Sequence, residues 1–348
     1  MGVGRSKSGR KLVIQIPCHD EEASLGATLA ELPREVEGFD VVELLVIDDG
    51  STDATAEVAR RAGVDHIVRH ARQEGLARAF SHGLDMALRA GADVIVNTDG
   101  DNQYAGASLP ALVAPIVEGT ADIVVGDRAP KGLAHFHPTK RLLSGVGSWA
   151  VGIAAGATIP DAASGFRAMS RAAALRLVVQ NEFTYTHETL IQASRRRMAI
   201  AHVPVEVRET KRKSRLASSM LGYVTRSAAT IFRAYTMYRP LRVFTTVGLV
   251  LGLVGCAIGV RFLWFFFHDG GNGHVQSLLL CVLLVAMGFV AFLMGLLGDV
   301  IAGNRRLLEE LIWRVRTLEV DARGRELPAQ HTAARSEDAV SNAASSSS

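Results

Sequence analysis

Three short apolar runs, Leu12 to Ile16, Val42 to Ile47 and Val94 to Thr98, are rich in β-branched residues and lack the alternation of a half-exposed strand. That is the form of strands buried on both faces of a parallel sheet. Between them, Ala23 to Leu32, Thr52 to Ala62 and Leu76 to Ala90 carry helical spacing, and a further strand falls near Ile123 to Val125. The order β-α-β-α predicts an α/β domain, an open, mostly parallel sheet with helices on both faces. Ala199 to Val207 is also strand-like.

Towards the C-terminus the pattern changes. Val243 to Val260 and Leu278 to Leu297 contain no charged residue, and each approaches the ~20 residues that cross a ~30 Å hydrocarbon core. A short polar segment from His268, HDGGNGHVQS, joins them, so the pattern predicts a two-helix transmembrane hairpin. Arg233, Arg239 and Arg242 precede the first span, Arg305, Arg306, Arg314 and Arg316 follow the second, and the joining segment has no Lys or Arg. The positive-inside rule then puts the α/β domain and both termini in the cytoplasm. Arg261, followed by Phe262, Trp264, Phe265, Phe266 and Phe267, can snorkel to the headgroups. Before the first span, Met220, Leu221, Val224, Ala228, Ile231, Phe232, Tyr235 and Met237 recur near helical spacing, as in amphipathic helices lying in the interface. Arg305 to Glu319 is a charged amphipathic helix that suits a homo-oligomer contact. The expected organisation is a tail (1–10), a catalytic domain (11–210), a basic loop with interfacial helices (211–242), two spans (243–302), a cytoplasmic helix (303–325) and a polar, disordered tail (326–348).

Composition agrees. The chain has 348 residues, 48% of them hydrophobic, which excludes a disordered or collagen-like chain. Its 38 Lys+Arg against 35 Asp+Glu leave a net charge of +3, too small to mark a nucleic-acid partner. Mean hydropathy is +0.19, raised by the two spans. The N-terminus, MGVGRSKSGRKLVIQIP, lacks the apolar core of a secretory signal. Cys18, Cys256 and Cys281 form no ligand or disulfide pattern.

The candidate chemistry lies at the strand ends, where open parallel sheets collect ligands. Asp20 and Glu21 follow the first run, Asp48 and Asp49 the second, Asp99 and Asp101 the third. No GxGxxG or GxxxxGK[ST] follows any strand, which removes the usual dinucleotide and P-loop readings. Asp99-Gly100-Asp101-Asn102-Gln103 lets two carboxylates approach one hard cation such as Mg²⁺ or Mn²⁺, although such a triplet alone is also an ordinary turn. In Asp48-Asp49-Gly50-Ser51-Thr52-Asp53, Ser51 or Thr52 could cap a helix, but two consecutive carboxylates at a strand end are costly unless a ligand or metal meets them.

Five segments, IPCHDEE (16–22), LLVIDDGSTD (44–53), TDGDNQ (98–103), DAASGFR (161–167) and the two closing spans, together resemble glycosyltransferase family 2, and within it the polyprenyl-phosphate glycosyltransferases. The likeness covers roughly residues 11 to 320. It implies a Rossmann-like GT-A fold. The implied reaction is the inverting transfer of one sugar from a nucleotide diphosphate sugar, UDP- or GDP-linked, to undecaprenyl or dolichyl phosphate with Mg²⁺ or Mn²⁺ as cofactor. By the same resemblance Pro17, His19, Glu21, Ile47, Asp48, Asp49 and Asp99 bind the donor nucleotide, and Asp99, Asp101 and Gln103 hold the metal. Asp161 and Arg167 lie at the reacting centre with Asp99 and Asp101. A phosphate acceptor is already ionised and needs no base, so the resemblance implies positioning or electrostatics for Asp161, with general base as the secondary role. Arg128, Lys140, Arg141 and Ser144 meet the acceptor phosphate. Lys211, Arg212 and Arg215, with Lys213, form a basic loop over the donor diphosphate; attraction to anionic headgroups explains the same run. The chain departs from the family at His19-Asp20, where Tyr-Asn is usual, and at Asp127, where small residues are common.

Two other readings stand beside this one. A processive polysaccharide synthase would carry QxxRW, and Gln192-Ala193-Ser194-Arg195-Arg196 matches only as far as the Arg. A membrane scaffold on a decayed transferase would have lost Asp99 or Asp101, and both are present.

Overall fold

The computed structural model describes residues 9–128, 148, 151–152, 159–179, 185–208, 232, 235–236, 239–269 and 275–345, the last segment with its side chains to 320. It divides into two units, Met1–Ala228 with Ile312–Ser348, and Ala229–Leu311.

In the first unit the sheet has seven strands: β1 (Lys11–Cys18), β2 (Val41–Asp48), β3 (His66–Arg69), β4 (Val94–Asn97), β5 (Ile123–Asp127), β6 (Arg167–Ser170) and β7 (Ile200–Pro204), in the order β3-β2-β1-β4-β6-β5-β7. All neighbours run parallel except β6, which is antiparallel to both β4 and β5. The helices are α1 (Leu25–Glu31), α2 (Thr55–Arg61), α3 (Leu76–Arg89), α4 (Leu109–Val117), α5 (Arg171–Arg176) and α6 (Thr186–Arg195). The mostly parallel sheet expected from the apolar runs is therefore present. Leu12, Ile14, Ile16, Leu44, Val46 and Val96 bury one of its faces against Leu25, Leu29, Leu109 and Leu112 of the helices. Two strands escape the sequence pattern: β3, His-Ile-Val-Arg, has only two apolar residues, and β6, Arg-Ala-Met-Ser, has no β-branched one.

The turn after β2 also differs from expectation. Neither Ser51 nor Thr52 caps α2, which begins only at Thr55; both instead hold the β1–α1 loop. The Asp20 N–H donates to Ser51 Oγ (2.9 Å) and the Thr52 N–H donates to Asp20 Oδ1 (2.9 Å). Asp20 has φ +48°, a left-handed conformation that Asp and Asn tolerate better than most residues, so its place in the chain is set by backbone geometry. Gly50 has φ +68°, and a β-carbon there would run into the backbone of Arg72 and Gln73, 2.5 Å from the Gln73 nitrogen. Gly63 has the same φ with open space around it. Gly63→Ala is expected to cost about 1 kcal/mol, the left-handed penalty alone, and Gly50→Ala at least about twice that, because backbone must also move. Thermal unfolding of the two variants in detergent checks the ordering.

In the second unit, α7 (Pro240–Asp269) is followed by α8, which begins at Val275 and continues to Ser345. Both are long and apolar enough to cross a membrane, with mean hydropathy 2.3 and 2.8 over their most apolar windows, of which only 11% is buried. Antiparallel packing is set by small residues: a β-carbon at Gly248 would lie 2.6 Å from Gly288 O, and one at Gly288 2.7 Å from Gly248 O. Such close backbone approach between small residues supplies the contact. The helix expected over 303–325 is one with the second span, and the tail expected to be disordered continues it to Ser345. In the first unit, Trp313 of α8 stacks under the Arg176 guanidinium at 4.8 Å and Arg316 Nη1 donates to Leu177 O at 2.9 Å. That face of the expected oligomer helix is thus occupied by the chain's own α5.

Candidate active site

The register of the central strands sets Pro17 beside Ile47 and Cys18 beside Asp48, at the carboxyl edge of β1 and β2. The carboxylates of three strand ends meet there. Burial pushes the Cys18 thiol well above its ordinary pKa, and the charges of Glu21, Asp48, Asp99 and Asp101 push it further. A β-carbon on Gly100 would touch Cys18 Sγ at 2.7 Å and lie 3.6 Å from Glu21 Cγ, which sets Glu21 against the Asp99–Asp101 turn.

Asp99 bears the cost of this crowding. Burial and then the Asp101 charge raise its pKa to about 7, with Glu21 adding to the rise and Arg128 and Arg167 opposing it. Asp101 Oδ1 accepts the Gln103 N–H at 3.1 Å, and Asn102 sits at φ +56°, so a tight turn presents the two carboxylates together. Gln103 O accepts the Arg208 N–H (2.9 Å), which ties this turn to the chain beyond β7.

His19 and Asp49 are joined: His19 Nδ1–H donates to Asp49 O at 2.9 Å. Asp48 is wholly buried; its Oδ1 accepts the Ser51 N–H (2.8 Å) and its Oδ2 faces Arg69 Nε at 3.2 Å. The Asp49 carboxylate has three protein donors: His70 Nδ1–H (2.8 Å), the Glu74 N–H (2.9 Å) and the Gly75 N–H (2.8 Å). It ties the β3–α3 loop to the end of β2.

Opposite the paired carboxylates stands the 161–167 segment. A β-carbon on Gly165 would lie 2.9 Å from both Asp99 carboxylate oxygens and 3.1 Å from Tyr185 Oη, so glycine alone lets Asp99 lie over this backbone. Asp161 accepts from Arg128 through Nε (2.7 Å) and Nη2 (2.9 Å). Burial opposes ionisation of Asp161, but these bonds and the Arg128 charge win and hold its pKa below the usual carboxylate range. Arg128 therefore meets a protein carboxylate bidentately, with 18% of its side chain left exposed.

Arg167 corrects the sequence expectation. It is 1% exposed, and its guanidinium donates to Ser164 O, Thr186 O, Thr189 Oγ1 and Ala162 O at 2.7 to 2.9 Å. With those donors on the protein's own oxygens, it braces the 161–167 segment. Gln192 of the partial QxxRW match is likewise structural, its amide bridging Val178 and Glu188. Lys140, Arg141, Ser144, Lys211, Arg212, Lys213 and Arg215 lie outside the described residues.

Several supporting residues gave no motif. Asn97 donates to Gly165 O (2.9 Å) and Tyr185 Oη (2.8 Å) and accepts from Gln15 Nε2 (2.9 Å), a buried amide chain across β1 and β4. Tyr185 stacks on Phe80 with centroids 3.8 Å apart, and the Tyr104 hydroxyl accepts the Gly165 N–H (3.3 Å). Polar Gln15 and Asn97 inside otherwise apolar strands were the one visible signal.

His187 stands behind this segment, 4% exposed. Burial, then the Arg167 charge, lower its pKa to about 4. The folded imidazole stays neutral while an unfolded one takes a proton below about 6.5, so stability falls as pH drops from about 6.5 towards 4, by up to roughly 3 kcal/mol. His187→Gln is expected to flatten that part of the pH dependence, read by thermal unfolding between pH 7 and 5.

Comparison with known proteins shows what the chain resembles. The description "Glycosyl transferase family 2" matches residues 13–177. An undecaprenyl-phosphate mannosyltransferase of Micrococcus luteus is 29% identical over 226 residues, 61% of this chain and 91% of that one. A glycosyltransferase of Mycobacterium tuberculosis is 31% identical over 219 residues, 62% of this chain and 94% of that one. The crystal structure of glucosyl-3-phosphoglycerate synthase from Mycobacterium tuberculosis with Mn²⁺, UDP and phosphoglyceric acid superposes with a TM-score of 0.52 at 22% identity, covering 66% of this chain and 80% of that one, and shares the fold. With these matches laid over carboxylates gathered at the carboxyl edge of a mostly parallel sheet, the chain belongs to glycosyl transferase family 2 and is a glycosyltransferase.

Proposed function

We propose that this enzyme transfers a single sugar, with inversion, from a nucleotide diphosphate sugar to a polyprenyl phosphate at the cytoplasmic face of a membrane. The observation that carries the reading is the occurrence, in one chain, of a tight turn that sets Asp99 and Asp101 against Glu21 and of two helices apolar enough to span a bilayer. The relative from Micrococcus luteus, named for an undecaprenyl-phosphate acceptor, supports it.

The donor set fits a hard divalent cation: two carboxylates one residue apart on a tight turn, with excess negative charge around Cys18. Asp99 and Asp101, with the Gln103 amide, would hold Mg²⁺ or Mn²⁺. When bound, the ion supplies positive charge where the leaving diphosphate develops its own. Pro17, His19, Glu21, Ile47, Asp48 and Asp49 line the edge that would take base and ribose. An oxygen of the lipid phosphate attacks the anomeric carbon from the face opposite the diphosphate. The new C–O bond forms as the old one breaks, its electron pair leaving with the nucleoside diphosphate. The attacking phosphate is already ionised, so Asp161 need accept no proton; it sets the guanidinium of Arg128 towards the acceptor. Lys140, Arg141 and Ser144 are proposed to complete that contact, and Lys211, Arg212 and Arg215 to cover the donor diphosphate. Arginines flanking both spans support cytoplasmic termini.

The test is to incubate the detergent-purified chain with undecaprenyl or dolichyl phosphate and a panel of UDP- and GDP-sugars, with Mn²⁺ or with chelator, and to analyse lipids by mass spectrometry. One glycosyl phospholipid, lost with chelator, is the expected result. Nucleotide binding with no lipid product from any donor would overturn the reading.

A further inference from the structure

We propose that His70, Glu74 and His82 form a second metal site, chemically unlike the Asp99–Asp101 pair, which takes a nitrogen-preferring dication of the Zn²⁺ class. His70 directly follows β3, Glu74 lies in the β3–α3 loop and His82 is in the second turn of α3. One ligand atom from each lies within 4.8 Å of the other two.

The detail that distinguishes this cluster from a chance grouping is the orientation of His70. Its Nδ1–H donates to Asp49 Oδ1 at 2.8 Å, which fixes the tautomer and leaves the Nε2 lone pair facing His82 Nδ1, 2.8 Å away. A carboxylate behind a ligating imidazole is the common outer partner of metal-bound histidine, orienting the ring and raising its basicity. The two rings meet edge to face with centroids 4.8 Å apart, and the hydrogen bond between His82 Nδ1 and His70 Nε2 holds one nitrogen of each ring together at one point. Glu74 Oε2 is buried without a hydrogen bond, and the Arg78 guanidinium faces it only at 3.6 Å. His82 is exposed, which opens the point to ions from solvent.

Metal–nitrogen bonds of about 2.0–2.1 Å at tetrahedral angles separate two ligating nitrogens by roughly 3.3 Å, so loading would spread the histidine pair by about half an ångström. His82 keeps its proton by moving it from Nδ1 to Nε2, so neither imidazole loses charge balance. Two imidazoles and one carboxylate leave one position for water and disfavour Mg²⁺, which demands oxygen donors. The ion would clamp the β3–α3 loop onto α3. Through the three hydrogen bonds of Asp49, that clamp reaches the end of β2.

The test uses the full chain in detergent, freed of any affinity tag and carrying Asp99→Asn and Asp101→Asn to silence the oxygen site. Zn²⁺ uptake is measured by calorimetry, and Co²⁺ is used as an optical probe. The expected result is one equivalent of Zn²⁺, visible Co²⁺ bands of a four-coordinate nitrogen-oxygen site, no competition by Mg²⁺, and at least about tenfold weaker binding in His82→Gln, whose exposed position spares the fold. His70→Gln should weaken it equally. No Zn²⁺ uptake, or uptake that His82→Gln leaves unchanged, would overturn the site. Because the readout is ion binding and not sugar transfer, its failure leaves the proposed reaction standing.

Discussion

Asp101→Asn and Asp99→Asn are each expected to lower kcat/KM at least about a thousandfold while the fold is kept. The substitution is isosteric and removes only charge. In Asp101→Asn the side-chain amide oxygen would still accept the Gln103 N–H that closes the turn. At Asp99 the effect on stability has a definite sign. Burial and the neighbouring Asp101 and Glu21 charges make the ionised carboxylate costly, so a neutral amide relieves repulsion and should hold or raise the thermal midpoint. The loss in rate follows from the same charges, because preorganised charge at the leaving group is the largest single contribution this site can make. Stability would thus be gained where function is lost, a trade usual at strained active sites. Initial rates with saturating Mn²⁺, beside unfolding curves of the same preparations, check both halves. Retained activity in either variant contradicts the assignment.

The second large effect is expected at Gly165. Its β-carbon in Gly165→Ala would stand 2.9 Å from both Asp99 oxygens. The obstructed atoms are the tip of a side chain, which can rotate away for about 1 kcal/mol, so the fold should survive. Activity should not, because a displacement near 1 Å of a group holding the reacting centre can cost about a hundredfold. A Mn²⁺ titration of the rate should show a raised half-saturation together with reduced kcat. A thermal midpoint that collapses, or a metal dependence identical to the unmodified chain, would show that Asp99 does not depend on this glycine.

Much of the site was legible because strand ends in a parallel sheet are marked by where apolar runs stop, and the carboxylates stand at those stops. The Asp99–Asp101 turn lies against Cys18 and Glu21 for that reason. The bracing was not legible. Arg167 reads in sequence as a cation beside the reacting centre, yet its donors end on Ser164, Ala162 and Thr186 carbonyls, partners that depend on how the chain returns through β6. That strand is short, antiparallel and without β-branched residues, so no periodicity announces it. Tyr185 and Asn97 meet across 88 residues of sequence, a contact only the completed sheet creates. Asp49 stands out in the sequence as a residue that a bare turn does not explain. Its three donors come from the β3–α3 loop, beyond the reach of the DDGSTD motif. The two apolar helices are the easiest to read, since charge-free runs near 20 residues make helices long and apolar enough to cross a membrane. The continuation of the last helix to Ser345 goes unannounced because Gly324 and Pro328, both poor helix formers, lie within it.

The most direct test of the central claim is a competition between acceptors. Purified enzyme would receive a nucleotide sugar labelled in the sugar, Mn²⁺, and equal amounts of undecaprenyl phosphate in detergent and a water-soluble phosphorylated acid such as 3-phosphoglycerate. The label would then be followed between organic and aqueous phases. The expected result is labelled sugar in the organic phase, on a lipid phosphate, with inverted anomeric configuration. Label transferred only to the soluble acid would contradict lipid-phosphate glycosylation as the reaction of this enzyme.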